Sequence, residues 1–327
     1  MKLREAKKEP PMVKVAEEQQ AQEYTSTKPV SGDTPSKSAF QVFALCQPMY
    51  IDTKIENNVW MKGLKGAAGE INKERFMGEW YNFYRLLAAE SLVYLIPPKK
   101  GLQDQTYVNS FCFLPHFKER DTIILSNFTA PGRPGEEIVA GDLLKDLGYQ
   151  VVKSPYKFEG EAELKYLRDN IYFGGYGIRS DIKTYKWIEK QYGAKIIPVK
   201  EVSPKLYHLD CSLFVLDPEN VMVCTSIIDK GTIKAIEKVA DVHSVSEAAC
   251  NECVCNSVRA GELIIMASSL RYLAKDAPEY PKERKKNDEA EKICRDMGLE
   301  IMYIEMKEAG KSGAALSCFV THLNYRY

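Results

Sequence analysis

The residues best suited to chemistry in this chain are a thiol, an imidazole and several carboxylates, each at the start of a different apolar run. Cys318 follows a small-residue loop, Lys311-Ser312-Gly313-Ala314-Ala315-Leu316-Ser317, and His208 sits in Tyr207-His208-Leu209-Asp210. Glu159 belongs to Phe158-Glu159-Gly160-Glu161-Ala162-Glu163-Leu164, and Asp104-Gln105-Thr106-Tyr107-Val108-Asn109-Ser110 precedes a fourth run. A thiol with an imidazole suits nucleophilic catalysis, with Cys318 attacking and His208 moving protons. Glu159 would orient that imidazole and raise its basicity. Asp210, two residues past His208, shares its face if the run is a strand, because strand side chains alternate. Paired carboxylates on one face suit a cation, and a guanidinium best, since it presents planar paired donors. Each piece has a plainer reading: a hydrogen-bonded strand histidine, a core cysteine, a solvated acidic loop. Their common place in a repeat argues for the joint one.

That repeat is what must position them. From residue 39 the chain cycles through an amphipathic helix, a short strand and two further strands. The spacing predicts these elements at 73–90, 92–96, 107–114 and 122–126. The second copy runs 135–147, 150–153, 161–167 and 170–173, and the third 182–191, 195–199, 207–216 and 221–225. The fourth has 232–240, 241–244, 253–258 and 262–266. The fifth has 284–297, 300–305 and 316–323, with its last strand borrowed from 42–46. A period of about 45–60 residues with one αβ unit each signals a propeller or other radial array. Sharing a strand between the chain ends removes exposed edges. An open doubly wound sheet is the alternative, but two successive strands between helices do not suit it. In a ring, equivalent positions converge on the axis, and distant residues meet there.

Composition narrows the partners. The 327 residues carry 45 Lys+Arg against 45 Asp+Glu, so the basic footprint of a nucleic-acid binder is missing. No uncharged apolar run approaches the ~18 residues of a membrane span. Nine cysteines and no apolar leader favour free thiols in a reducing, cytoplasmic setting. Residues 1–38 mix Lys, Glu, Gln, Pro and Ser with almost no aromatics and read as a disordered tail, leaving 39–327 as one domain.

The same residues resemble the amidinotransferase and arginine-deiminase superfamily, the penteins, and within it the arginine dihydrolase and dimethylargininase branch. Asn58-Val59-Trp60-Met61 resembles the branch's Asn-Pro-Trp-Met. Ser126-Asn127-Phe128 with Arg133, Gly135 and Glu136 is similar to its Ser-Asn-Phe…Arg-x-Gly-Glu. Phe158-Glu159-Gly160, Gly177-Ile178-Arg179-Ser180, His208-Leu209-Asp210 and the 250–256 segment match in the same order. The resemblance spans about residues 40–323 and implies an α/β fold, a five-bladed αβ-propeller of pseudo-fivefold ββαβ repeats. It implies Cys318 as nucleophile, His208 as acid/base, Glu159 as the partner of His208 and Asp210 as the guanidinium ligand. Asn58 would contact the same end of the substrate, and Arg133 and Arg179 its α-carboxylate.

The implied activity is hydrolysis of arginine or a close guanidino compound through a covalent thiouronium, without metal or cofactor. Citrulline would follow one cycle; ornithine, carbon dioxide and two ammonia molecules would follow two. An amidinotransferase and a non-catalytic guanidino-binding protein are the alternatives, and a homo-oligomer is left open. Departures bear on the outcome. The branch's Asp-x-Val-Phe-Thr-Ala-Asn puts Ser110 at its guanidinium-binding Asn when counted without a gap. A serine grips a neutral ureido group less well, which favours release after one cycle. A bulge that brings Asn109 into the place would restore two. Ala162-Glu163 replaces Gly-Asp, and Cys318-Phe319-Val320 replaces Cys-Met-Thr. Cys250-x-x-Cys253-x-Cys255 lacks a second ligand pair for zinc and reads as packing. Gly174-Gly175-Tyr176-Gly177 reads as a turn, and His116, His243 and His322 carry no signature; His322 is expected to face packing or solvent.

Overall fold

The computed structural model describes residues 34–62, 70–115 and 121–326. They form five three-stranded sheets, each with its middle strand antiparallel to one neighbour and parallel to the other. In chain order, β1 (Val42–Cys46), α1 (Lys73–Glu90) and β2 (Leu92–Ile96) begin the first blade. The second is β3 (Phe111–Leu114), β4 (Thr122–Leu125), α2 (Glu136–Asp146) and β5 (Gln150–Lys153). The third is β6 (Leu164–Arg168), β7 (Ile171–Tyr176), α3 (Ile182–Tyr192) and β8 (Lys195–Lys200). The fourth is β9 (Leu213–Val215), β10 (Asn220–Val223), α4 (Lys230–Glu237) and β11 (Asp241–Ser244). A short α5 (Glu247–Asn251) leads to the fifth, β12 (Val258–Ala260), β13 (Leu263–Ala267), α6 (Tyr280–Asp296) and β14 (Glu300–Ile304). After α7 (Lys307–Lys311), β15 (Thr321–His322) returns to the first blade and pairs Phe43 with His322. The strand borrowed by the chain end is therefore real, and the repeat is the expected one.

Helix α1 buries one apolar stripe. In α1 the stripe is Phe76, Trp80, Phe83 and Leu87, spaced three and four apart, and Asn72 caps its start by accepting from Arg75 N at 3.0 Å. Glu79 lies on the same face and accepts from the Glu308 and Ala309 amides at 3.0–3.5 Å, opening α7. Helix α1 is thereby tied to the segment that delivers Cys318. Phe319 anchors the other side of that thiol, with ring centroids 5.2 Å from Tyr107 and 5.9 Å from Phe76.

The expected strands at 107–114, 161–167, 207–216 and 316–323 are shorter than the sequence suggests. Where it reads continuous strand, the third, fourth and first blades place one-turn 3-10 segments: Gly160–Ala162, Leu209–Cys211 and Leu316–Phe319. Alternation of apolar residues runs through these turns unbroken, so periodicity alone cannot see them. The equivalence between blades survives, because every such turn leads into an inner strand. Of the expected tail, residues 1–33 lie outside the described residues, as does His116. Pro35–Lys37 forms a 3-10 turn, and Ser36 bonds the Asp121 carboxylate. Among the described residues no helix is long and apolar enough to cross a membrane.

Candidate active site

The residues entering the five inner strands converge. They are Asn109 before β3, Glu159 before β6, His208 and Asp210 before β9, Asn256 before β12 and Cys318 before β15. His208 Nε2 and Glu159 Oε2 are 2.7 Å apart. Glu159 Oε1 accepts from the Thr129 and Ala130 amides at 2.9 and 3.0 Å, and Arg179 Nη1 approaches both carboxylate oxygens at 3.2–3.4 Å. Gly160 makes this approach feasible: its φ is +63°, and a Cβ there would stand 2.4 Å from the Asn109 carbonyl oxygen and the Phe111 nitrogen. Burial opposes charge on Glu159, but the His208 hydrogen bond and the charges of His208, Arg179 and Arg133 hold it well below the usual carboxylate range. Burial, against the pull of Glu159, keeps His208 below the ordinary imidazole value.

Asp210 does not reach its place by strand alternation with His208, since Leu209–Cys211 is a 3-10 turn. Its Oδ2 accepts from Ser317 Oγ at 2.6 Å and Asn109 Nδ2 at 3.2 Å, so it is fixed beside the thiol's own turn. Cys318 is 8% exposed, and Asn256 Nδ2 and Oδ1 stand 3.6 and 3.7 Å from its sulfur. Burial, then the Asp210 charge, pushes this thiol up to about 12. Burial thus disfavours both the thiolate of Cys318 and the imidazolium of His208, which line one cavity. Alkylation at pH 7.5 should therefore be slow with neutral iodoacetamide. A cationic haloacetamidine, which brings its own charge to the sulfur, should label Cys318 about tenfold faster and ahead of the other cysteines. Equal rates for both reagents, read by peptide mapping, would contradict this reading of the thiol.

A cavity of ≈ 30 Å³ joins Asn58, Asn109, Arg133, Arg179, His208 and Cys318. A second, of ≈ 310 Å³, meets it at Ala314 and is lined by Asn256, Cys211 and Cys253. Asn58 and the two arginines face the cavity already engaged. Asn58 Oδ1 accepts from the Trp60 and Met61 amides at 2.9 and 3.1 Å, and its Nδ2 donates to Ser312 O at 2.9 Å. Arg133 pairs with Glu136 at 2.8 Å and donates to Tyr107 O at 2.6 Å. Arg179 stacks 4.7 Å over Tyr207 while holding Glu159.

Ser110 is the clear departure. Its Oγ turns to Val108 O at 3.5 Å, its carbonyl accepts from the Ser126 amide at 3.1 Å, and it does not line the cavity. Asn109 lines the cavity instead. Its amide donates to Cys318 O at 3.4 Å and its carbonyl accepts from Ala162 N at 3.3 Å, which turns its side chain to the axis. Glu161 and Glu163, readable as a solvated loop, are buried, and Glu161 Oε1 is 2.6 Å from His322 Nδ1. His322, expected to face packing or solvent, is half-buried, packs 4.7 Å from the Phe43 ring and has Glu161 as a hydrogen-bond partner. Cys250 and Cys255 lie 3.8 Å apart inside an apolar cluster. Sequence reading passed over Asn256, although its place before the inner strand of its blade is the signal that could have found it.

Blade order and inner-strand turns give an αβ-propeller fold, the fold of solved arginine dihydrolases and of a dimethylarginine dimethylaminohydrolase, at TM-scores of 0.74 and 0.65. No family model matches the chain. It is 24% identical over 283 residues to the bifunctional arginine dihydrolase/ornithine cyclodeaminase AgrE of Nostoc sp., covering 84% of this chain but only 37% of AgrE. It is 26% identical over 180 residues to the dimethylarginine dimethylaminohydrolase of Mycobacterium tuberculosis, covering 55% of this chain and 57% of that protein. The N-terminal domain of ArgZ, solved covalently bonded to a reaction intermediate, superposes with a TM-score of 0.74 at 21% identity, over 87% of this chain and 98% of that domain. The chain thus spans a little over a third of AgrE's length.

Proposed function

We propose that the chain is a cysteine-dependent hydrolase of arginine or a close guanidino compound. The observation that carries this reading is Cys318 on one cavity with His208, whose imidazole is held by Glu159 at 2.7 Å. A guanidinium entering beside Asp210 adds positive charge next to the sulfur and favours its ionisation. His208 takes the thiol proton, and the thiolate attacks the guanidinium carbon. The imidazolium returns that proton to the departing nitrogen, which leaves as ammonia, and a thiouronium remains on Cys318. His208 then takes a proton from water, the hydroxide adds to the same carbon, and the C–S bond breaks to give a ureido product. Arg133 and Arg179 supply positive charge near the cavity for a substrate carboxylate, and the covalent intermediate recorded for ArgZ supports the same chemistry here.

Asn109, rather than Ser110, bears on how many cycles follow. Its amide can donate to and accept from a neutral ureido group, which favours retention for a second attack and release of ornithine, carbon dioxide and two ammonia molecules. Arginine incubated with the purified chain and resolved by mass should give ornithine as the major product. Asn109→Ser should raise the share of free citrulline by about tenfold, one hydrogen bond's worth of retention. Ser110→Ala should leave the ratio as it is. Citrulline as the sole product of the unaltered chain would overturn the two-cycle outcome, and no turnover of arginine or its N-methyl derivatives would overturn the hydrolase.

A further inference from the structure

Directly behind the His208–Asp210 turn lie two acids that the chemistry above does not use. Glu163 ends the 3-10 turn that starts after Glu159, and Glu201 follows β8; they are 0% and 8% exposed. Glu163 Oε1 and both Glu201 carboxyl oxygens are buried with no hydrogen-bond partner among the described residues. Both lean over Gly175 of β7, where a Cβ would fall 2.5 Å from Glu163 Oε2 and 2.8 Å from Glu201 Oε1. Only a glycine leaves room for the pair. Glu163 Oε2 also accepts from the Leu209 amide at 3.2 Å, and that amide sits between His208 and Asp210.

Two ionised carboxylates can only accept, so neither can satisfy the other; a proton shared between these neighbouring buried acids would supply the missing donor. The groups facing the pair do not relieve it. Glu159 faces it from its own turn, Asp210 from the Leu209–Cys211 turn and Tyr185 from α3, while Arg179 and His208 lie beyond and are bonded to Glu159. We propose that Glu163 and Glu201 are positioning residues that share one proton and, through the Leu209 amide, hold the backbone between His208 and Asp210. This rests on the proposed roles of those two residues. Burial, then repulsion from neighbouring carboxylates, raises both acids far above the ordinary range, so the single-proton state persists at neutral pH. Loss of that proton sets two like charges against each other beneath the turn. A raised folded value also means that stability falls as pH rises from the unfolded value through the folded one.

The test is Glu201→Gln, whose amide donates permanently to Glu163 and cannot lose its proton. His208 is followed by the NMR shifts of its imidazole without substrate, in a Cys318→Ala background so that the thiol does not contribute. The parent should show an alkaline step in the His208 resonances, and Glu201→Gln should abolish it. With Cys318 intact, Glu201→Gln should move the alkaline limb of kcat upward by about one pH unit or more, with KM little changed. Should Glu201→Gln fail to fold, Glu163→Gln must give the same loss of the step. An alkaline step that persists in a folded variant, or none in the parent, overturns the proposal. A chain that moves the step as described but turns over no guanidino compound keeps the proton-sharing pair and refutes the hydrolase.

Discussion

Cys318→Ala should abolish turnover of arginine, by on the order of a million-fold, as for other nucleophiles on which every later step depends. The fold should survive. The thiol's described hydrogen bonds are long contacts to Asn256, the Cys318 amide keeps its bond to Ala315 O, and alanine keeps the Cβ inside the Phe319 cluster. The cost in stability should stay within about 2 kcal/mol, measured by urea unfolding. Retained turnover would remove the covalent mechanism. Lost turnover with a collapsed transition midpoint would instead mark Cys318 as a packing residue.

Glu159→Gln should be the next most severe change, and it should show in rate and stability together. The carboxylate meets His208, Arg179 and two backbone amides. A neutral amide can still touch the imidazole but no longer stabilises the imidazolium, so kcat should fall about 10³–10⁴-fold. Arg179, 8% exposed, is left without its counter-charge, which costs about 3–5 kcal/mol. The sign with pH follows from the lowered folded value of Glu159. Its contribution to stability is complete above the unfolded value near 4.5 and is lost as pH falls through the folded one. The stability gap between the two proteins should be widest at neutral pH and narrow below pH 4.5. A gap that widens toward acid would contradict the pairing.

How far the sequence discloses this arrangement depends on what periodicity can record. Blade boundaries follow from amphipathic helices set between short apolar runs, and α1 falls on Lys73–Glu90 as predicted because its apolar stripe is uninterrupted. The borrowed strand Val42–Cys46 was legible from a repeat that lacked one member. Cys318, His208 and Glu159 were legible because they occupy one place in three blades. The turns that carry them were not, since Leu209 and Leu213 continue an apolar rhythm through a 3-10 segment. Asn109 and Ser110 show the same limit. An ungapped count from Asp104 cannot register the hydrogen-bonded turn from Asp104 O to Tyr107 N, and a shift of one residue exchanges cavity for packing. The Glu163–Glu201 pair joins residues 38 positions apart across Gly175, and composition gives no sign of it.

The central claim is that Cys318 forms a covalent bond to the guanidino carbon. The purified chain, mixed with arginine labelled at that carbon and quenched in acid within the first turnover, tests it most directly. Peptide mapping by mass should find the label on the peptide containing Cys318, as arginine less one ammonia, and should find none in the Cys318→Ala chain. Labelled citrulline, or labelled carbon dioxide released alongside ornithine, accumulating with no adduct on Cys318, from both chains alike, would contradict it.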